Sequence, residues 1–378
     1  MVRAGRAIAR QVPSVAFGVV VALVAVMAVN ADGQKVQRVE ANNAAIWVTN
    51  NDGARFGRFN KASSKLEFQK QAGADGIVGD VAVRQDGNSV IVLNLSAGTM
   101  YAVDAATGAD GREQGASIPT GGVVDLRGGT LALVDPASGK VWATRTGGSA
   151  HVLDLSALAA TAAPLAELGP SPTGLKHPVG LSVGADGSIH AANASGKLVS
   201  ISATELGFAN PQYSQLPVQG LSDVQVAALG GAAAVFDATT GQLILPGGRT
   251  AQLPPDPNAT IQQGGADVGS VAVATSSGLY AVSYDASVQQ LFTRSASSDP
   301  TEPVSLGSSS ASGHCVLAAW SGDPGQVVRS CNGAAGVDVS GASPQRLDLP
   351  YFQVNWGLVV LNDRIDGRIY DVDLQQSF

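Results

Sequence analysis

Short apolar runs alternate along this chain with turns that are rich in Asn, Asp and Gly. Residues 46–50 lead to a turn at Gly53, and residues 131–135 lead to a turn at Gly139. Asn and Asp side chains hydrogen-bond to the backbone of such turns, while Gly adopts the positive φ that closes a hairpin. Helical periodicity is nearly absent beyond the N-terminus. The pattern predicts a series of β-hairpins in which the turn carboxylates have a structural role.

The hairpin turns recur at a nearly constant interval. One turn residue from each unit is Gly53, Gly98, Gly139, Gly196, Gly241, Asp285, Gly333 and Gly367. Intervals of about 40–50 residues are typical of proteins built from stacked repeats. Apolar strands before and after each marked hairpin bring a unit to four short strands, as in a propeller blade. We predict an all-β fold, a β-propeller of eight four-stranded blades, with seven blades as the alternative.

Two irregularities interrupt the repeat. The long interval before Gly196 coincides with an Ala- and Pro-rich insertion at residues 154–176. The last unit has three recognisable strands before the sequence ends at Phe378, so a fourth strand is expected from elsewhere. Residues 35–40 alternate apolar and polar positions, and their pairing with the last unit would remove an exposed edge. The alternative is a fragment whose closing strand lies further along a longer protein.

The N-terminus has a different character from the repeats. Residues 15–29 are all apolar or small, and they follow a start that contains Arg3, Arg6 and Arg10. A cleavable signal peptide fits the length of this stretch and the small residue Ala31 at a cleavage-site pattern. An uncleaved signal anchor fits the positive charge on its N-terminal side.

Of these two alternatives, we favour the anchor. The predicted organisation is a cytoplasmic basic segment at residues 1–12, a transmembrane anchor or signal peptide at residues 13–31, and an extracytoplasmic propeller at residues 32–378. The predicted location is the cell membrane, with secretion as the alternative. Both alternatives place the propeller outside the cytoplasm.

Charge excludes one class of partner. The chain has a formal net charge of −7, and no concentrated basic surface is visible in its sequence. Nucleic acid is therefore excluded, because phosphate binding needs clustered positive charge. An envelope or surface protein is the predicted partner, with a polysaccharide as the alternative.

The two cysteines indicate an oxidising compartment. Cys315 and Cys331 flank a Gly-Asp-Pro-Gly turn at residues 322–325. In an antiparallel hairpin, the residue numbers of every opposed pair add up to the same total. A turn centred on Asp323 therefore places the two cysteines opposite each other. We predict a disulfide, which would contribute about 3 kcal/mol in the chain-entropy model. A pair of buried free thiols is the alternative, and a zinc site lacks ligands because only His314 lies nearby.

Several segments show family resemblance. Residues 177–201 resemble an NHL-type repeat, and residues 46–50 and 101–108 are similar to YVTN and quinoprotein-like repeats. The whole arrangement resembles the N-terminal part of large actinobacterial surface proteins that carry Ig-like or fibronectin type III modules downstream. The resemblance implies a propeller at the cell surface. It does not imply one activity, because such repeats are found in binding modules, lyases and scaffolds.

An enzymatic role has limited support in the sequence. Streptogramin lyases are propellers with similar strands, and that resemblance would imply a metal-assisted site of His and Glu on the central channel. The histidines of this chain are His151, His177, His190 and His314, and none has a Glu at a diagnostic spacing. No nucleophile elbow or P-loop is present. We predict no catalytic residue, no metal site and no cofactor, with His177 at a strand entrance as the candidate for an enzyme.

Two further groups of residues have competing interpretations. A calcium site or a solvated strand face fits the aspartates near the end, Asp363, Asp366, Asp371 and Asp373. Packing between blades or an exposed glycan platform fits the tryptophans, which we place in blade strands, Trp47, Trp142, Trp320 and Trp356. We favour the solvated face for the first group and packing for the second.

Three functions follow from these observations. The favoured function is a membrane-tethered extracytoplasmic propeller that acts as a protein-interaction or cell-envelope scaffold, binding through loops on one face. A carbohydrate or cell-wall binding or hydrolysing module would require tryptophans or paired carboxylates at the channel mouth. A lyase-like enzyme would require His177 to face the central channel beside a carboxylate.

Overall fold

The computed structural model describes residues 45–73, 79–146, 154–205, 207–294, 298–306, 314–333, 336–342, 346–373 and 376–377. Eight antiparallel blade sheets follow one another along this part of the chain, so the eight-bladed propeller is confirmed. Short 3-10 helices occur at Arg112–Gln114 and Ser156–Leu158. The fold is all-β, as the turn pattern predicts.

Each blade is a run of neighbouring strands in the sequence. Blades 1 and 2 contain β1 (Ala45–Asn50), β2 (Arg55–Asn60), β3 (Lys65–Gln71), then β4 (Val81–Asp86), β5 (Ser89–Asn94), β6 (Thr99–Asp104) and β7 (Ala116–Ser117). Blades 3 and 4 contain β8 (Val123–Arg127), β9 (Thr130–Asp135), β10 (Lys140–Arg145), β11 (Ala166–Glu167), then β12 (Val179–Val183), β13 (Ile189–Asn193), β14 (Lys197–Ile201) and β17 (Gln212–Gln215), with the small hairpin β15 (Ala203–Thr204) and β16 (Gly207–Phe208) before β17.

The remaining blades continue in the same order. Blades 5 and 6 contain β18 (Val224–Leu229), β19 (Ala232–Asp237), β20 (Gln242–Ile244), β21 (Thr250–Gln252), then β22 (Thr260–Ile261), β23 (Ser270–Thr275), β24 (Gly278–Ser283) and β25 (Val288–Thr293). Blades 7 and 8 contain β26 (Val304–Leu306), β27 (His314–Trp320), β28 (Gln326–Gly333), β29 (Gly336–Ala342), then β30 (Pro350–Asn355), β31 (Leu358–Asp363), β32 (Ile369–Asp371) and β33 (Gln376–Ser377).

The structure corrects the assignment of three strands. Blade 8 has a fourth strand, since β33 pairs with β32, whereas the sequence pattern showed three. Blades 6 and 7 begin with the short strands β22 and β26, which precede the apolar strands that the sequence pattern identified before the marked hairpins. Blade 1 has three strands among the described residues, and residues 35–40, the predicted closing strand, lie outside them.

Side chains of the inner strands connect four pairs of neighbouring blades. In each pair an oxygen atom on one inner strand accepts a hydrogen bond from a backbone N–H of the adjacent blade, at 2.7–3.0 Å. The acceptor and donor pairs are Gln85 with Trp47, Asp125 with Val183, Ser182 with Ala228, and Gln225 with Ile261. The inner edge of a blade faces the channel without a partner strand, so these side chains satisfy backbone groups that would otherwise remain unpaired.

Blades 1 and 8 are joined by buried polar contacts. Asn362 on β31 accepts a hydrogen bond from the N–H of Thr49 at 2.8 Å and donates one to the carbonyl oxygen of Thr49 at 3.1 Å. Lys61 of blade 1 donates to the carbonyl oxygen of Val359 at 2.8 Å. These contacts connect the first described blade to the last one and close the ring.

Large aromatic side chains fill the space between blades. Trp47, Trp142 and Trp320 lie in strands and are at most 4% exposed. Trp356 is an exception to the prediction, since it occupies the turn between β30 and β31 with a φ of 48°. The three buried rings pack between sheets, as the favoured interpretation expects, and are not available as a glycan platform.

A disulfide joins Cys315 on β27 to Cys331 on β28, and the two residues are directly opposite in the register of the hairpin. Both are buried. The disulfide predicted from the sequence is therefore confirmed. The turn between the two strands is symmetrical, so the two cysteines are an opposed pair in the hairpin.

Removing this disulfide should destabilise the propeller. We expect the double variant Cys315→Ala, Cys331→Ala to lose about 3 kcal/mol of its free energy of unfolding, since the bond closes a short loop. Urea unfolding with and without a thiol reductant measures the effect. Reductant should lower the stability of the wild-type chain and leave the double variant unchanged, and equal stability of both chains without reductant would contradict the prediction.

The predicted anchor at residues 13–31 lies outside the described residues, as do residues 1–12. Among the residues that are described, no helix has the length and apolar character needed to cross a membrane. Tethering to the membrane therefore stays a prediction from the sequence.

Candidate functional site

A cavity of about 310 Å³ lies in the central channel. Residues from blades 2 to 8 line it, and most of them belong to the innermost strands. A cavity of this volume is at the lower end of the range for small-molecule sites. The ring of inner strands thus encloses a space that suits a small ligand or one side chain of a partner.

One end of the channel is crossed by the segment between β22 and β23, residues 262–266, which we call the plug. Gly265 donates to the carbonyl oxygen of Ala228 in blade 5 at 2.9 Å and accepts from the N–H of Ala185 after β12 at 3.3 Å. Gln263 donates to the carbonyl oxygen of Phe352 in blade 8 at 3.0 Å. The plug therefore contacts blades on several sides of the channel and crosses it near the carboxyl ends of β12 and β18.

The opposite end is the mouth of the cavity, where the inner strands begin. Lys176 and His177 precede β12, Glu302 precedes β26, and Tyr351 lies at the start of β30. The side chains of Lys176 and His177 are 55% and 48% exposed. Solvent and ligands therefore reach the cavity from this side. The insertion predicted at residues 154–176 ends here, at Lys176.

His177 is paired with a buried carboxylate. Its Nδ1 lies 2.6 Å from Oδ1 of Asp223, a residue that is 1% exposed. Burial acts to raise the pKa of Asp223, but the hydrogen bond and charge of His177, with the charge of Lys176, lower it on balance. Asp223 thus stays ionised and fixes the imidazole, which leaves Nε2 directed away from the carboxylate.

Two arginines flank the ring of Tyr351. The guanidinium carbon of Arg84 is 5.1 Å from the ring centroid, and that of Arg364 is 5.6 Å from it. Burial raises the pKa of Tyr351 to about 12, although the charges of both arginines oppose this change. The phenol is therefore neutral at physiological pH and available as a hydrogen-bond donor.

Glu302 is the acidic group that faces this pair. Its side chain is accessible to solvent, but protein atoms pack around it, and this desolvation raises its pKa against the opposing charge of Arg84. The charge of Asp125 also raises the pKa of Glu302. Glu302 consequently gains a proton more readily than a fully solvated glutamate does.

The other candidate residues from the sequence have structural roles. Asp363 is fully buried and accepts backbone hydrogen bonds from Asp348 and Leu349 at 2.8 and 3.1 Å. Asp371 and Asp373 both pair with the ammonium group of Lys61, at 3.2 and 2.6 Å. No cluster of three potential metal ligands occurs in the described part of the chain. A lysine thus occupies the position between strand carboxylates that the calcium hypothesis would give to a cation.

Sequence reasoning identified His177 but missed the residues that surround it. His190 is buried among Ser188, Ser200 and Gly230, and His314 contacts Leu306 at 2.8 Å, so neither is at the mouth. His151 lies outside the described residues.

The buried His190 should make stability depend on pH. Burial lowers its pKa, despite the opposing hydrogen bond to the carbonyl oxygen of Gly230. The unfolded chain gains this proton near pH 6.5, whereas the folded chain gains it at a lower pH, so the free energy of unfolding falls as pH decreases below about 6.5. Burial lowers the pKa of His314 as well, and its effect has the same sign.

We expect the free energy of unfolding of the His190→Gln variant to depend less on pH. The slope should be smaller than in the wild-type chain by up to about 1.4 kcal/mol per pH unit. Urea unfolding between about pH 7 and about pH 5 measures this slope. An unchanged slope in the variant would contradict a neutral, buried His190 in the folded state.

Comparison with known proteins gives the fold alone. No protein-family model matches the chain, and no curated protein matches it. Among solved structures, BamB from Moraxella catarrhalis is similar with 15% identity and a TM-score of 0.50, over 86% of this chain and 92% of that one. Dihydro-heme d1 dehydrogenase NirN in complex with DHE is similar with 8% identity and a TM-score of 0.53, over 89% and 73%.

At these identities the likeness establishes a β-propeller and no shared activity. The resemblance to NHL and YVTN repeats and to actinobacterial surface proteins stays a prediction from the sequence.

Proposed function

We propose that this chain is a membrane-tethered, extracytoplasmic propeller that serves as an interaction module of the cell envelope, and that the mouth of its central cavity is the recognition surface. The apolar segment at residues 13–31 and the Cys315–Cys331 disulfide support a location outside the cytoplasm. One observation supports the mouth as the recognition surface: the plug occupies one end of the channel, while the mouth at the other end is polar and open. A channel with one closed end binds a ligand from one side.

Photo-crosslinking in native cells tests this proposal. A benzophenone side chain replaces Lys176 at the mouth in one variant and Val288 on β25, an exposed position remote from the cavity, in the control. We expect a discrete adduct from position 176 in the membrane fraction, sensitive to protease added outside the cells. Equal adducts from both positions, or resistance to protease, would contradict the proposal.

A second candidate function is a lyase-like or hydrolytic enzyme, and one specific observation supports it. His177 faces the central cavity beside the carboxylate of Asp223, which is the arrangement that the sequence-based hypothesis required. An imidazole whose Nδ1 is held by a carboxylate is suited to general base catalysis. Turnover of a bound compound that is lost in His177→Gln, with binding retained, would favour the enzyme over the interaction module.

The carbohydrate alternative has less support. Trp47, Trp142 and Trp320 are buried between blades, and no tryptophan lines the cavity among the described residues. The tryptophan platform that this alternative requires is therefore not found among the described residues of the mouth.

A further inference from the structure

Hydrogen-bond donors without acceptors line the cavity. Gln262 is 2% exposed, and its Oε1 accepts from the N–H of Ala272 at 2.8 Å, so the orientation of its amide is fixed. Its Nε2 is buried and has no partner among the described residues. Gln353 is 4% exposed, and its Nε2 is also buried without a partner. Leaving such donors unpaired is costly, so a ligand that supplies acceptors would be bound favourably.

Positive charge in the same place lacks a carboxylate partner. No carboxylate of the described chain lies within 4.0 Å of the guanidinium nitrogens of Arg84 or Arg364, which flank Tyr351. Arg84 makes one hydrogen bond, at 3.3 Å, to the carbonyl oxygen of its neighbour Val83. Nε of Arg364 is buried and unpartnered. The pair therefore retains its capacity to bind an oxyanion.

The acidic residues of the cavity are largely engaged. Asp125 accepts from the N–H of Val183 at 2.7 Å and from the N–H of Leu126 at 2.9 Å. Asp223 is paired with His177. Glu302 has no hydrogen bond or ion pair with the described residues, and burial raises its pKa. The cavity thus combines unpaired donors and cations with acidic residues that are mostly engaged, although the chain as a whole is acidic.

We propose that the central cavity binds a small carboxylic acid, whose carboxylate is held by Arg84 with the amide groups of Gln262 and Gln353, in the field of Arg364. A carboxylate fits better than phosphate, because its two oxygens match the few donors that the cavity residues offer, a guanidinium and two amides. The volume of about 310 Å³ suits a compact molecule. This inference rests on the proposed function in taking the mouth as the recognition surface.

Titration calorimetry on the full chain in detergent tests the inference with three probes. Succinate carries carboxylates, succinamide has the same shape without charge, and inorganic phosphate is the competing oxyanion. We expect succinate to bind with a Kd of about 1 mM or tighter and succinamide to bind at least about tenfold more weakly. Equal binding of succinate and succinamide, no binding of succinate, or tighter binding of phosphate would overturn the assignment.

Matched variants connect binding to these residues. Arg84→Gln should weaken succinate at least about tenfold, and Arg55→Gln, an exposed arginine on β2, should leave it unchanged. Gln353→Leu is a second variant that removes a donor without removing charge, and it should weaken succinate by a smaller factor. Unchanged affinity in both cavity variants would overturn the proposal. Failure of these titrations leaves the photo-crosslinking result at position 176 intact, so the two proposals are distinguishable.

Discussion

The Asn362→Leu variant should lose about 4 kcal/mol of its free energy of unfolding, the largest effect that we expect from a single substitution. Asn362 is fully buried, and both atoms of its amide hydrogen-bond to the backbone of Thr49, which is 313 residues away in sequence. Leucine has a similar size but makes neither bond. Two buried backbone groups then remain unpaired, at about 1–3 kcal/mol each.

Urea unfolding monitored by circular dichroism measures this loss. Asn210→Leu is the matched control, because Asn210 is exposed, and it should change stability by no more than about 0.5 kcal/mol. If Asn362→Leu unfolds at the same urea concentration as the wild-type chain, blades 1 and 8 are not held together through this residue.

The Gly264→Ala variant should destabilise the plug by about 3 kcal/mol. A Cβ atom at this position would lie 2.4 Å from the carbonyl oxygen of Val183 and 2.6 Å from Oγ of Ser182. The first of these is a backbone atom of an inner strand and cannot move without disturbing blade 4. The plug must therefore shift away from the channel or the sheet must distort.

Gly265→Ala is the control for this substitution, since the nearest atom to its new Cβ is 3.9 Å away, on Ser305. Urea unfolding compares the two variants, and hydrogen exchange of the amide of Gly265 reports whether the plug has opened. Equal stability and equal exchange would show that residues 262–266 do not fill the channel as tightly as the structure indicates.

Local chemistry explains why so much of the fold is predictable. Asn or Asp followed by Gly closes a hairpin within a few residues, so the spacing of these turns gives the number of blades without knowledge of long-range contacts. The disulfide is predictable for the same reason, because the register of one hairpin places Cys315 opposite Cys331.

Features that depend on contacts with distant parts of the chain cannot be predicted from the spacing of the turns. The strands β22, β26 and β33 have two or three residues each, which is too short for a periodic signal. Contacts with neighbouring blades keep them extended. Trp356 lies in the turn of the β30–β31 hairpin, where its φ is positive. A large aromatic residue gives no sign in the sequence of such a turn position.

The candidate site is only partly readable from the sequence for a similar reason. His177 is visible because a histidine before a strand entrance suggests a channel position. Arg84, Glu302 and Tyr351 come from three different blades, and no spacing in the sequence connects them. One signal was available, the charged residue Arg84 within the otherwise apolar start of the strand Val81–Asp86.

Native mass spectrometry of the full chain, extracted from the envelope of its own host, shows whether the central cavity holds an acidic ligand. We expect a small acidic molecule that is bound to the wild-type chain, leaves on denaturation and is missing from Arg84→Gln, while Arg55→Gln retains it. A chain that carries no small molecule, or a neutral one that both variants retain, would contradict recognition of a carboxylate in the central cavity.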